Sequence, residues 1–214
     1  PRRSLQQLQQ QPRMYALYTT LLVAMISALV ATVIGTVTAI AISHMKPVSK
    51  NIFMSISNIP MLNADIVTGI ALMLAFIAFG ISLGFKTVLI SHITFNIPYV
   101  ILSVMPKLKQ TDRSTYEAAL DLGASPAYAF FEVVFPDIMP GVLSGFLLAF
   151  TMSLDDFIIT HFTKGAGINT LSTLIYSEVR RGIRPSMYAL STVIFVVVLV
   201  VLLIANFRKQ PEKD

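Results

Sequence analysis

Long apolar runs constrain this chain more than any other feature, because a helix of about 20 mostly apolar residues is the length that crosses a bilayer. Five candidate runs stand out. The cleanest is Met187 to Phe207, with TVIFVVVLVVLLIA at its centre, and Tyr15 to Ser43 is too long and too polar at its flanks for a secretory signal. Between them lie Ile66 to Gly80, Thr87 to Met105 (interrupted by Pro98) and Ile138 to Thr160. Ile66 to Gly80 is short, and Asn51 to Pro60 ahead of it reads as an interfacial or broken piece. The expected fold class is an all-α polytopic membrane protein.

Composition agrees. Apolar residues make up 55% and charged residues 13%, against about 45–50% and about 25% in soluble domains. With a mean hydropathy of +0.72, the chain has too little polar surface to cover a water-soluble globule. It contains no cysteine, which excludes a disulfide framework, a thiolate metal site and a cysteine nucleophile. Tryptophan is absent too, leaving Tyr, Phe, Lys and Arg as interface anchors. The net charge of +5 speaks to topology and lipid headgroups before nucleic acid, so no nucleic-acid partner is expected.

Across five spans the Lys and Arg residues divide eight against eight, so the positive-inside rule leaves the orientation open. The tie is a clue that a helix is missing at the N-terminus. The Gln-rich opening PRRSLQQLQQQPR has the look of a low-complexity loop. The expected organisation is therefore a polar lead at 1–13, a transmembrane domain at 14–207 and a polar tail at 208–214.

Ser27, Ala31, Gly35, Ala39 and Ser43 recur every fourth residue along the first span, and Gly141 and Gly145 repeat the spacing near the fourth. Small residues four apart line one helix face and let another backbone approach closely. Packing within the chain is the preferred reading; a face for a second membrane subunit is the alternative.

One long interruption, Tyr116 to Gly141 (YEAALDLGASPAYAFFEVVFPDIMPG), is amphipathic and charged without being a simple polar loop. Asp112 or Ser114 is placed to cap a short helix, Glu117 suits its first turn, and Gly123 can take the left-handed conformation that stops it. Ser125-Pro126 then supplies an N-cap and a proline at the first helical position. A second helix is expected from there to Pro136. The result is a helix pair at the membrane surface, of the kind that hands force to another protein.

Glu117-Ala118-Ala119, then Gly123, then Val134-Phe135-Pro136 resembles the EAA motif of bacterial ABC importer permeases, with Val134 where Ile is usual and Phe135 where Leu is usual. From Tyr15 to Ala205 the chain looks like the PotC-type permeases of spermidine/putrescine importers, carried by NADIVTGIALML, GISLGFKTVLISHITFNIPYV, DLGAS, FTMSLDDFIITHFTKG and LIYSEVRRGIRPSMYAL. The resemblance implies a type I (MetI-like) permease fold, with five spans of a usual six and a cytoplasmic coupling cassette at 107–136. It implies that Glu117, Ala118, Ala119, Gly123 and Pro136 couple the chain to a separate ATPase. It also puts Lys107 and Arg208 on the cytoplasmic side of a bacterial inner membrane. The chain itself would be no enzyme and bind no cofactor, with ATP and Mg held by the ATPase dimer. A second homologous permease, an extracytoplasmic substrate-binding protein and membrane lipid complete the implied partners.

Polyamines carry several ammonium groups, which seek carboxylates and aromatic faces. The acidic residues within the runs are Asp65 at the mouth of the second and Asp155-Asp156 near the end of the fourth. An acid at bilayer depth costs about 2.5–3.5 kcal/mol on insertion scales, so it faces a cavity or a partner. At least one of Asp155 and Asp156 is expected in the substrate pathway. The competing reading is a helix-end charge or an ion pair with Arg180, Arg181 or Arg184. Tyr176 and Glu178, on the outer side in this orientation, are candidates for meeting substrate or docking a binding protein, against the plainer reading of a solvated face. The three arginines would repel a cation and suit acidic patches on a binding protein better.

Other readings are weaker. Gly80 to Thr87 has the wrong spacing for a phosphate-binding loop, and His44, His92 and His161 lack metal-ligand spacing. A membrane aspartyl protease would need Asp65 and Asp155 or Asp156 to share a proton, and the expected flanking glycines are missing. A passive channel or scaffold would have no use for the cassette. Within the importer class, ferric ion, thiamine or an amino acid is the alternative cargo.

Overall fold

Why these runs form helices and how they sit together follows from the side chains they hide. A computed structural model describes residues 2–180, with side chains from residue 14 onward apart from Pro60 and Arg113. The helices are α1 (Arg2–Ser43), α2 (Pro47–Leu62), α3 (Asp65–Ala78), α4 (Phe85–Gln110), α5 (Arg113–Asp121), α6 (Pro126–Ala129), α7 (Phe135–Asp155), α8 (Ile158–Thr163) and α9 (Leu171–Arg180), with a π turn at Phe130–Val134 joining α6 to α7. Two compact units divide the chain, Pro1–Leu174 and Ile175–Asp214.

Among the described residues three helical stretches are long and apolar enough to cross a membrane, Met14–Ser43, Phe85–Gln110 and Pro126–Asp155, with Asp65–Ala78 a shorter apolar helix. The expected run at Met187 to Phe207, Arg181, Arg184 and the tail lie outside the described residues. The Gln-rich opening, expected as a loop, continues α1 as helix from Arg2.

In the first unit α1, α4 and α7 pack into one core around Ala28, Ala39, Ile42, Val100, Ile101, Val104, Met105, Ile138 and Ala149. Along α1 the small residues Ser27, Ala31, Gly35 and Ala39 are buried, while Leu21, Met25, Leu29, Val33 and Val37 are exposed. Large apolar side chains outward and small ones inward is the reverse of a soluble helix and suits lipid around a tight bundle. A Cβ at Gly35 would lie 2.7 Å from Val100 Cβ on α4, and one at Gly145 of α7 would lie 3.3 Å from Val100 Cα. The small-residue faces therefore serve packing within the chain. Hydroxyls of Thr19, Thr20 and Thr32 donate back to carbonyls one turn earlier, at 2.6–2.9 Å, so they carry no bare polar group into the bilayer.

Three boundaries differ from expectation. Pro98 does not interrupt its helix: α4 runs through both Pro98 and Pro106, because α1 and α7 packed against it support a helix that a proline would break in isolation. The second cassette helix does not end at Pro136, which stands in the first turn of α7. The π turn ahead of it, where the Phe135 amide donates to the Phe130 carbonyl, absorbs the disturbance a proline brings. Finally, the fourth run does not continue as one helix to Thr160; α7 stops at Asp155 and the chain restarts as α8.

Candidate functional site

Two places concentrate chemistry, the surface helix pair and the corner between α7 and α8. At the first, the Asp112 carboxylate accepts from the Ser114 amide at 2.9 Å and caps α5. That backbone bond, seconded by the Ser114 side chain, holds the exposed Asp112 carboxyl below the ordinary carboxylate range. Glu117 and Ala118 are exposed and Ala119 is half-buried. Gly123 has φ +92°, and its amide donates to the Leu120 carbonyl at 2.9 Å, closing the helix. Ser125 Oγ accepts from the Tyr128 amide at 3.3 Å and Pro126 opens α6. Capping, stop and restart all fall where the sequence puts them.

The tip of this pair is apolar. Leu122 is 90% exposed, and Tyr128 and Phe131 are more than half exposed; sequence reasoning named none of them. The signal was present in a Leu beside the helix-stopping glycine, which no membrane run could shelter. Behind α5 lies a cleft of ≈ 630 Å³ whose walls include Lys50, Lys109, Tyr116, Glu117 and Phe130. Phe130, Phe131 and Phe135 brace the base of the pair, with ring centroids 5.2–6.5 Å apart.

At the second place two neighbouring carboxylates part company. Asp155 ends α7 and is exposed. Asp156 leaves the helical conformation (φ −59°, ψ 123°) and turns its carboxylate inward, to 8% side-chain exposure. There it accepts from the Ile159 amide at 3.2 Å, and from the Thr160 amide and hydroxyl at 2.8 Å each. These bonds satisfy the open amides that begin α8. His92 of α4 closes the arrangement, with Nε2 3.3 Å from Asp156 Oδ2 and 2.9 Å from Thr160 Oγ1. On the other edge of the ring, His92 Nδ1 lies 2.9 Å from Ser153 Oγ. Sequence reasoning set His92 aside as a failed metal ligand. A histidine midway along an apolar run was the signal, since an ionisable group at bilayer depth needs a stated partner.

Asp65 is exposed in the first turn of α3, where its charge suits the helix dipole. One turn on, a Cβ at Gly69 would lie 3.2 Å from Phe162 of α8 and 3.5 Å from the Ile158 carbonyl. The helix carrying Asp65 thus packs directly on the element that Asp156 caps. Tyr176 and Glu178 fall in the unit Ile175–Asp214; within it the Arg180 guanidinium carbon stands 6.0 Å from the Tyr176 ring centroid.

A bundle with lipid-facing apolar surfaces, a polar corner inside and a capped, exposed helix pair defines a membrane component. The chain belongs to the family described as binding-protein-dependent transport system inner membrane components, which matches residues 31–208. It is 37% identical over 213 residues to the putrescine transport system permease protein PotI of Escherichia coli (strain K12), covering 94% of this chain and 76% of that protein. To the spermidine/putrescine transport system permease protein PotC of the same strain it is 38% identical over 184 residues, 86% of this chain and 70% of that one. Among solved structures, an amino acid ABC transporter crystallised with histidines shares the fold, with TM-score 0.62 and 18% identity over 95% of this chain and 96% of its own. The EAA residues therefore identified the family, and the chain is a permease component of an ABC transporter, seated in the inner membrane. In such systems an ATPase and a binding protein are the working partners.

Proposed function

We propose that this chain forms one half of a multi-pass pathway that imports polyamines. The supporting observation is its 37–38% identity, over most of its length, to two permeases named for putrescine and spermidine. Asp155, the exposed carboxylate at the end of α7, is the residue assigned to the ammonium groups of the cargo, with Asp65 across the α3–α8 contact as a second. Asp156 serves the corner instead of the cation. Tyr176 and Glu178 are assigned to the outer entrance.

The cycle is alternating access. A binding protein delivers the cation to the outer face of this chain and a second, homologous permease. ATP with Mg draws the ATPase subunits together, and Glu117, Ala118, Ala119 and Gly123 carry that motion from the cytoplasmic side through the π turn and Pro136 into α7. This chain supplies the walls and the docking helix; nucleotide chemistry belongs to the ATPase.

Uptake of labelled spermidine by cells expressing the chain with its partner subunits tests the reading. Competition by putrescine, but not by amino acids or ferric ion, is expected. Asp155→Asn should raise the KM for uptake by about tenfold, the loss of one charge-assisted contact worth about 1.4 kcal/mol. Uptake of another solute in place of polyamines would overturn the substrate, and an unchanged KM would remove Asp155 from the pathway.

A further inference from the structure

Asp155 and Asp156 are adjacent in sequence and opposite in environment, and the difference is made by a residue on another helix. Were α7 to continue, the two carboxylates would stand about 100° apart on one helix. Instead the backbone breaks at Asp156, and the buried polar groups around it join four elements. His92 belongs to α4, Ser153 and Asp156 flank the end of α7, Thr160 belongs to α8, and Ser27 of α1 reaches Ser153 Oγ at 2.9 Å. Asn96, one turn beyond His92 on α4, donates from Nδ2 to the same Ser153 oxygen at 2.9 Å.

The bonds fix the donor at the Asp156 edge of the ring. Thr160 Oγ1 donates to Asp156 Oδ2, so the Nε2 that faces both must be the imidazole donor. Ser153 Oγ accepts from Asn96 Nδ2 at 2.9 Å, and shares hydrogen bonds with Ser27 Oγ and His92 Nδ1, also at 2.9 Å, in which either partner can be the donor. With His92 and Ser153 each 3–4% exposed and Ser27 at 0%, the cluster is shielded from bulk solvent, which strengthens each of these bonds.

We propose that His92 is a positioning residue: it tethers Asp156, and with it the break between α7 and α8, to α4, so that Asp155 alone is presented to the passing cation. What Asp155 meets rests on the polyamine reading above; the tether does not. Removing His92 leaves the three α8 donors on Asp156 in place, so α8 keeps its cap; the corner stays joined to α4 through Asn96 to Ser153 and Thr87 to the Thr163 carbonyl, and what is lost is the contact that orients the Asp156 carboxylate toward α4. The consequence is a misdirected Asp155 in a chain that still folds.

The absence of native cysteine gives a clean test in the assembled transporter. Asp155→Cys is labelled with a cationic methanethiosulfonate reagent, with and without saturating spermidine, alongside Lys46→Cys at the exposed turn between α1 and α2 as a control. With His92 present, labelling at 155 should be fast and slowed by spermidine. His92→Phe should slow it by about tenfold and abolish spermidine protection, since thiol reactivity follows access; His92→Gln, which keeps a donor, should restore both. The control rate and retention of the ATPase subunit should be the same in all three backgrounds. Labelling at 155 that is unaffected by His92→Phe, or a control that slows with it, would overturn the tether. Labelling that depends on His92 but is never slowed by spermidine would uphold the tether and remove position 155 from the spermidine pathway.

Discussion

The Asp112 carboxylate sets the start of α5 through one bond to the Ser114 amide. Its folded-state pKa is lowered, so its contribution is complete above the ordinary aspartate range and is lost as pH falls through the lowered folded value. Hydrogen exchange of the α5 amides, corrected for the intrinsic pH dependence of amide exchange, should stay slow at neutral pH and accelerate only in acid below that range. Asp112→Ala should show the fast exchange at neutral pH, whereas Asp112→Asn should keep most of the cap. Gly123 makes a different demand. Its φ is +92° and nothing lies within 4 Å of a Cβ placed there, so any substitution acts through the backbone alone. Gly123→Ala should cost about 1 kcal/mol, read as a lowered Tm. Both residues were legible in the sequence because caps and left-handed stops are local chemistry. Leu122, beside Gly123, carried only the signal of its place next to the helix stop, because its exposure also depends on the whole pair standing clear of the bundle.

Among the elements, the contact between α1 and α4 is the most demanding. Gly35 faces Val100, and a methyl added there would meet Val100 Cβ at 2.7 Å and the Ile97 carbonyl oxygen at 3.2 Å. Gly35→Ala should destabilise the bundle by about 1–3 kcal/mol through overpacking, and Val100→Ala should recover part of that loss in the double variant. Thermal melts of the detergent-solubilised assembly would show it; equal melting of Gly35→Ala and the native chain would mean the helices separate freely. The four-residue spacing of small side chains made this face readable beforehand. The end of α7 was not readable in the same way, since Phe157 to Phe162 is as apolar as a continuing span. What stops the helix is the non-helical backbone at Asp156, and the burial of its carboxylate against His92 exists only once α4 and α7 lie side by side.

For the molecule as a whole, composition was enough to place it in a bilayer, and the EAA residues were enough to place it in its family. Pathway geometry was beyond reach because a pathway is formed by faces that converge from distant segments. The docking of the coupling pair is testable at this scale. Glu117→Lys reverses a charge on the exposed face of α5, and Gly123→Pro forbids its positive φ; each should abolish co-purification of the ATPase subunit while leaving membrane insertion intact. Retained binding in both would separate α5 from the ATPase. The π turn at Phe130–Val134 has a consequence for how this machine tolerates change. A π turn holds one residue more than the α turn it replaces, and each residue along a helix is worth about 100° of rotation. The extra residue therefore sets the angular phase between the docking pair and the spanning helix, as a key sets a gear on its shaft. Deleting a single residue would turn the surface pair by about 100° against the spanning helix, and so out of phase with it.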